Sequence, residues 1–121
     1  MHISVISIPV SDQDRSRDFY ADGVGFAVIT DGPFGEGLRW VQLAPPGAQT
    51  SITLTTWFED LAPGSVRGLI LDVDDLPGAR SAMEGRGVRF TEDTYDTPWG
   101  SFAAFEDPDG NRWSLHQDAP A

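Results

Sequence analysis

Residues 97–117 read TPWGSFAAFEDPDGNRWSLHQ, a stretch in which two apolar runs flank a short turn sequence. The first run is Phe102–Phe105 and the second is Trp113–Leu115, with the sequence DPDG between them at residues 107–110. Proline pre-sets the φ angle required at the second position of a type I turn, and glycine suits the fourth position. Two apolar runs joined by such a turn predict a β-hairpin.

The amino-acid sequence of this hairpin resembles that of the closing hairpin of the vicinal oxygen chelate superfamily. The shared pattern is Phe-x-Asp-Pro-Asp-Gly-Asn followed by x-aromatic-x-Leu, at residues 105–115. The sequences IPVSD at 8–12, FY at 19–20 and GF at 25–26 are similar to the family's first strand and helix. The superfamily includes glyoxalase I, extradiol dioxygenases, fosfomycin-resistance enzymes and bleomycin-resistance binding proteins. The resemblance implies an α+β fold in which two tandem βαβββ modules form a curved mixed sheet around a cavity.

An internal repeat supports the division into two modules. Three short patterns recur at an offset of 62 or 63 residues: Val10-x-Asp12 with Val73-x-Asp75, Gly25-Phe26 with Gly87-Val88, and Leu43-x-x-Pro46 with Phe105-x-x-Pro108. We therefore expect a single domain over residues 1–121. It would comprise module 1 at about 1–56, a linker at about 57–65 and module 2 at about 66–117.

Turn residues and hydrophobic alternation place the individual elements. Ser11 is expected to cap the first helix, and Gly23 and Gly25 to end it. The predicted helices cover about residues 12–22 and 76–85. The predicted strands cover about residues 3–10, 26–30, 38–43, 51–55, 68–73 and 88–91, followed by the final hairpin.

Alternation along the strands also predicts which side chains face the cavity. Uniformly apolar sets, such as Ile6, Ile8 and Val10, are expected to pack under the helices. The mixed sets are expected to line the cavity. They consist of Ile3, Val5, Ser7, Trp40, Gln42, Gly68, Ile70, Asp72, Phe102, Ala104, Ser114 and His116.

Composition excludes several classes of function. The net charge is −11, so nucleic acid is not an expected partner because its phosphates would be repelled. All eight basic residues are arginine, which excludes a Schiff-base lysine and a P-loop. The chain has no cysteine, no apolar run of membrane-spanning length and no signal-peptide pattern, and we expect a cytoplasmic protein without a membrane partner.

The resemblance also implies where a metal would bind, because the family's metal enzymes place a histidine or carboxylate on four cavity-facing strands. Those positions fall on Val5, Gly68 and Ser114, and on either Ser51 or Thr53. None of these residues supplies the imidazole or carboxylate that such a site requires. We therefore expect no metal and no cofactor.

An enzymatic function is nevertheless an alternative interpretation of the sequence. Asp72, Glu106 and His116 are candidates for an unconventional metal site, and Asp72 with Glu106 for an acid–base pair. Either would suit a glyoxalase-like lyase or isomerase, or a dioxygenase. A structural or regulatory subunit with a vestigial cavity is a third class. We assign no catalytic residue.

Aromatic side chains are the main chemical feature that the sequence offers. Trp40 and Phe102 occupy equivalent places in the two modules, and each is also compatible with ordinary core packing. Rings that line a water-poor cleft suit a flat, conjugated ligand. The resemblance to bleomycin-resistance proteins implies a homodimer that sequesters a planar aromatic natural product or antibiotic. The expected ligand-binding residues are Val5, Ser7, Trp40, Gln42, Trp57, Phe58, Tyr95, Trp99, Phe102, Ser114 and His116.

Overall fold

The computed structural model describes residues 1–120 and contains two modules of the same element order. The first module begins with a strand and a helix, and three further strands follow. Its elements are β1 (Val5–Pro9), α1 (Gln13–Asp18), a π-helical segment (Phe19–Val24), β2 (Ala27–Phe34), β3 (Leu38–Ala44) and β4 (Ser51–Thr55).

The second module repeats this order with a longer α-helix. Its elements are β5 (Leu69–Asp72), α2 (Leu76–Gly85), β6 (Tyr95–Thr97), β7 (Gly100–Glu106) and β8 (Arg112–Gln117). No helix among residues 1–120 is long and apolar enough to cross a membrane.

Each module forms its own four-stranded mixed sheet. The strand orders are β1-β4-β3-β2 and β5-β8-β7-β6. The first and last strands of each module pair in parallel, and the remaining pairs are antiparallel. The predicted α+β class and the tandem βαβββ modules are confirmed, and the two sheets are not joined into one closed sheet.

The first helix differs from the prediction at its N-cap and in its helical type after Asp18, whereas its end at Gly25 is as predicted. Asp12, not Ser11, is the N-cap, because its carboxylate accepts from the backbone N–H of Arg15 at 3.1 Å. Ser11 instead contacts Asp109, whose carboxylate accepts from the Ser11 backbone N–H at 3.2 Å. Beyond Asp18 the helix widens into the π-helical segment and ends at Gly25, whose φ of 101° suits glycine.

The strand expected near 88–91 is not formed. Phe90 makes an isolated bridge with Phe105, the Thr91 backbone N–H donates to the Ala104 carbonyl at 2.9 Å, and the next strand begins at Tyr95. Arg80 of α2 donates from Nη1 to the Glu92 carbonyl at 3.0 Å and to the Thr94 hydroxyl at 3.1 Å. These contacts hold the intervening loop against the helix, so it cannot continue along the sheet.

The turn sequence of the closing hairpin also connects the two modules. Asp107 accepts from the Tyr20 hydroxyl at 2.7 Å and from Nδ2 of Asn111 at 2.7 Å. Asn111 also donates from Nδ2 to the Pro9 carbonyl at 2.8 Å. Asp107 and Asn111 are buried, so these polar groups are satisfied inside the protein by partners from both modules.

The main core combines apolar side chains from both sheets with side chains from the helices. Tyr20, Phe26 and Trp113 pack together with ring centroids 5.8 Å apart in each pair. Ile8 of β1 and Val10, which follows it, were expected under the helix, and both are buried. Burial of this face leaves the opposite face of each sheet free to carry a binding site.

Candidate functional site: two aromatic sheet faces

Four rings form a module 1 aromatic cluster, defined by Phe34, Trp40, Trp57 and Phe58, on the sheet face that points away from the core. The Trp40 and Trp57 ring centroids are 6.3 Å apart with an interplanar angle of 24°. Phe34 lies 5.2 Å from Trp40 and 5.3 Å from Trp57, and Phe58 lies 6.0 Å from Trp57. Parallel indole rings beside two half-exposed phenyl rings provide a stacking surface for a flat molecule.

Phe34 is a member of this cluster that sequence reasoning missed. The strand expected to stop at Thr30 extends to Phe34, with a register shift between Val28 and Thr30. Gly32 pairs with Trp40 in this extension, and Pro33 is tolerated because β2 is an edge strand. The alternation of Thr30, Gly32 and Phe34 was the available signal, but the Gly-Pro dipeptide indicated a loop.

The indole of Trp40 is fixed by a chain of hydrogen bonds. Its Nε1–H donates to Oε1 of Gln42 at 3.0 Å, and Nε2 of Gln42 donates to the Ser51 hydroxyl at 2.7 Å. The Ser51 hydroxyl then donates to the Ser4 carbonyl at 3.0 Å. Each side chain is held by the next, so the ring is oriented before any ligand arrives, and less conformational entropy is lost on binding.

Val5 and Ser7 lie on the same face as this chain. Val5 pairs with Ser51 in the parallel ladder between β1 and β4, and Ser7 pairs with Thr53. Thr53 in turn pairs with Gln42 across β3 and β4. The structure therefore brings together the six candidate residues of module 1 and its linker on one sheet face.

Module 2 carries a row of three rings, Tyr95, Phe102 and His116, across β6, β7 and β8. The Tyr95 and Phe102 centroids are 5.7 Å apart at an interplanar angle of 21°. Phe102 and His116 follow at 4.7 Å and 38°. Ser114 lies on the same face, where it pairs with Ile70 and Ala104. Trp99 is 76% exposed in the turn between β6 and β7, at the rim of this row.

Both ring nitrogens of His116 already have partners within the chain. Nδ1 lies 2.7 Å from a carboxylate oxygen of Asp72, and Nε2 lies 2.9 Å from the Trp99 carbonyl oxygen. The contact with the Trp99 carbonyl, followed by the contact with Asp72, raises the pKa of His116 above its ordinary value. His116 therefore organises this face, and its nitrogens are not free to donate to a ligand.

Two apolar clefts among the described residues lie elsewhere. One, of about 310 Å³, is lined by residues such as Ile6, Phe26 and Leu69, and the other, of about 210 Å³, by residues such as Val24, Met83 and Leu115. Neither cleft is lined by any of the eleven candidate ligand-binding residues. The candidates instead form two open aromatic faces on two different sheets.

The residues of these faces do not fit the divalent metal that the fold family implies. Val5, Gly68 and Ser114 offer no imidazole or carboxylate. Within residues 1–120, no group of three or more histidine, cysteine, aspartate or glutamate side chains is placed to hold a metal ion. Asp72 and His116 are adjacent, but Glu106 pairs with Arg112. Arg112 lies four residues before His116 on β8, which places Glu106 roughly 13 Å from His116 at strand spacing.

The fold agrees with the known proteins to which the chain is similar. The model of the Glyoxalase/Bleomycin resistance protein/Dioxygenase superfamily matches residues 2–115, and the chain belongs to this family. It is 29% identical to protein YetH of Bacillus subtilis (strain 168) over 118 residues, covering 95% of this chain and 97% of that protein.

Two solved structures show the same fold at higher identity. TnmS3, described as an antibiotic binding protein from Streptomyces sp. CB03234, is 44% identical with a TM-score of 0.93, covering 98% of this chain and 97% of that one. A member of the superfamily from Sphaerobacter thermophilus DSM 20745 is 35% identical with a TM-score of 0.89, covering 98% of each chain.

Proposed function

We propose that this protein binds a planar aromatic small molecule of an antibiotic-like kind and sequesters it without transforming it. The observation that carries the proposal is the stacked pair of indoles, Trp40 and Trp57, on an open sheet face, with the Trp40 ring fixed by its hydrogen bond to Gln42. The description of TnmS3 as an antibiotic binding protein supports the same class of ligand. The cytoplasmic location expected from composition stays a prediction.

We further propose that each binding site is completed by a second copy of the chain. Several large apolar side chains are exposed on or beside the two faces, among them Phe34 at 42%, Phe58 at 46% and Ile70 at 57%. A two-fold partner that places its module 2 face over the module 1 face would cover these side chains and create two equivalent pockets. The module 1 cluster would then supply one wall and the row of Tyr95, Phe102 and His116 the other.

The energetics allow tight binding in such a pocket. An aromatic pair contributes about 0.5–1.5 kcal/mol beyond the apolar area that it buries. Each square ångström of buried apolar area adds about 25 cal/mol. Two stacked indoles together with the buried area of a drug-sized ring system make a submicromolar Kd reachable, after the costs of association.

Intrinsic fluorescence provides the test, because Trp40, Trp57 and Trp99 lie on the proposed walls or rim. Planar antibiotics and flavins are titrated into the protein, and the ligand is expected to quench the tryptophan emission. Trp40→Ala and Trp99→Ala are each expected to weaken binding about tenfold or more, the equivalent of about 1.4 kcal/mol, with the fold retained. Ile29→Ala is the control, because Ile29 is 55% exposed and outside the cluster.

Chemical recovery separates sequestration from catalysis. After the complex is denatured, the compound is expected to be recovered unchanged by mass spectrometry. Conversion of a tight ligand into a product would refute sequestration and favour the lyase, isomerase or dioxygenase alternative. Failure of every planar compound to bind would favour a structural or regulatory subunit.

A further inference from the structure

His116 connects three segments that are distant in the sequence. It lies on β8, and its ring contacts Asp72 on β5 and the Trp99 carbonyl in the turn between β6 and β7. The ring is largely buried, with 14% of its side chain exposed. It is therefore placed to determine where the turn lies relative to the sheet.

The two partners of this imidazole are both hydrogen-bond acceptors. A carboxylate and a carbonyl oxygen have no proton to donate, and a neutral imidazole carries only one N–H. Both contacts are hydrogen bonds only when each ring nitrogen carries a proton, which is the imidazolium form. The geometry thus distinguishes the two protonation states.

The turn that His116 contacts carries Trp99. Its two central residues are Pro98 and Trp99, and the Thr97 hydroxyl accepts from the Trp99 backbone N–H at 3.1 Å. A Cβ on Gly100 would collide with the Gln117 carbonyl and lie 2.8 Å from Nε2 of His116. Glycine therefore permits the close approach that brings the Trp99 carbonyl to the imidazole.

We propose that His116 is a positioning residue, which as an imidazolium holds the turn of residues 97–100 and thereby fixes Trp99 at the rim of the module 2 face. When the ring loses one proton, the negatively charged Asp72 carboxylate favours retention of the proton on Nδ1, because a charge-assisted hydrogen bond is stronger than one to a neutral carbonyl. Loss of the Nε2 proton then frees the Trp99 carbonyl and lets the turn move. The consequence for affinity rests on the proposed ligand-binding function, whereas the positioning of Trp99 does not.

The surrounding charges favour the protonated form. Asp72 of β5 contacts Nδ1, and Asp118, which follows β8, lies 3.9 Å from Nε2. From β6, Tyr95 is separated from the imidazole by the ring of Phe102 on β7. Because the folded-state pKa is raised, the contribution of the imidazolium is fully present below the unfolded-state pKa of about 6.5. It is lost as the pH rises through the folded-state value.

Nuclear magnetic resonance of the ligand-free protein tests the positioning directly. His2 is the only other histidine, so His2→Asn assigns the His116 titration. The protein is labelled with 5-fluorotryptophan, and Trp99→Phe assigns the Trp99 fluorine signal. The Trp99 signal is expected to shift with the same midpoint as His116, above pH 6.5. Separate midpoints, or a Trp99 signal that does not move with pH, would overturn the proposal.

Two substitutions separate positioning from a merely structural role. Asp72→Asn removes the charge beside Nδ1 and is expected to move both midpoints to lower pH together. His116→Gln supplies an amide that donates to the Trp99 carbonyl at every pH, so the Trp99 signal is expected to stay near its low-pH position. A pH-dependent Trp99 signal in His116→Gln would contradict the mechanism.

The effect on affinity is measured with the compound that quenches fluorescence. Its Kd is expected to rise severalfold as the pH passes the Trp99 midpoint in the native protein and in the His2→Asn control, and to stay level in His116→Gln. If no compound binds, the proposed function fails, and the resonance experiment still decides the positioning. The Trp99 signal could shift with pH while the Kd stays constant. That result would show that the turn does not contact the ligand.

Discussion

Replacement of Tyr20 by phenylalanine is the sharpest test of how the two modules are held together. The substitution keeps the ring, which packs against Phe26 and Trp113, and removes one buried hydroxyl. That hydroxyl donates to Asp107 at 2.7 Å and accepts from Nε1 of Trp113 at 2.9 Å. Burial, together with the charge of Asp107, raises the pKa of Tyr20 far above its ordinary range, so the hydroxyl remains a donor at every working pH.

The expected cost follows from the two groups that lose a partner. A hydrogen bond to a charged group contributes about 1.5–3 kcal/mol, and a buried donor left without an acceptor costs about 1–3 kcal/mol. Asp107 keeps three other donors, namely Nδ2 of Asn111 and the backbone N–H groups of Asp109 and Asn111. This favours the lower part of the combined range, about 2.5–4 kcal/mol. For a chain of this size the Tm falls by about 4 °C per kcal/mol, or roughly 10–16 °C in all.

Urea unfolding followed by fluorescence and circular dichroism measures this loss. The midpoint is expected to fall with an unchanged slope, because the same surface is exposed on unfolding. Tyr95→Phe is the matched control, since Tyr95 is the only other tyrosine and its ring is 47% exposed. A surface change of this kind alters stability by less than about 0.5 kcal/mol. If Tyr20→Phe also stays within that limit, the buried network does not hold the modules together as argued.

Two further predictions concern composition and assembly. Protein purified without chelator is expected to contain no stoichiometric zinc, iron, nickel or manganese, because Val5, Gly68 and Ser114 supply no metal-binding group. Elemental analysis that finds about one equivalent per chain, lost in His116→Ala, would contradict this. Light scattering is expected to give a dimer, with twice the 13.2 kDa mass of one chain, because each open aromatic face needs a partner. A mass near 13.2 kDa at micromolar concentration would refute the shared pocket.

Much of the fold could be predicted from local signals. Pro108 and Gly110 mark the turn of the closing hairpin, and the helix expected at residues 76–85 begins and ends as predicted at Leu76 and Gly85. Local signals failed where a tertiary contact overrode them. The Gly32-Pro33 dipeptide indicated a loop, yet pairing with β3 carries the edge strand on to Phe34. Conversely, pairing with β7 stops after Thr91, where Arg80 of α2 contacts Glu92 and Thr94 of the following loop.

The sequence by itself indicated the superfamily through the resemblance of its motifs. Its turn residues, two-residue alternation and internal repeat predicted the two modules, because these signals act within short stretches of the chain. The positions that the resemblance assigns to a metal carry no imidazole or carboxylate, which depends only on residue identity. Only the tertiary structure decided that the candidate residues divide between two open sheet faces. The partners of His116 were likewise decided by the fold, because Asp72 and Trp99 lie 44 and 17 residues away in sequence. Contacts over such separations depend on how strands pair and sheets are placed, which alternation within one strand does not encode.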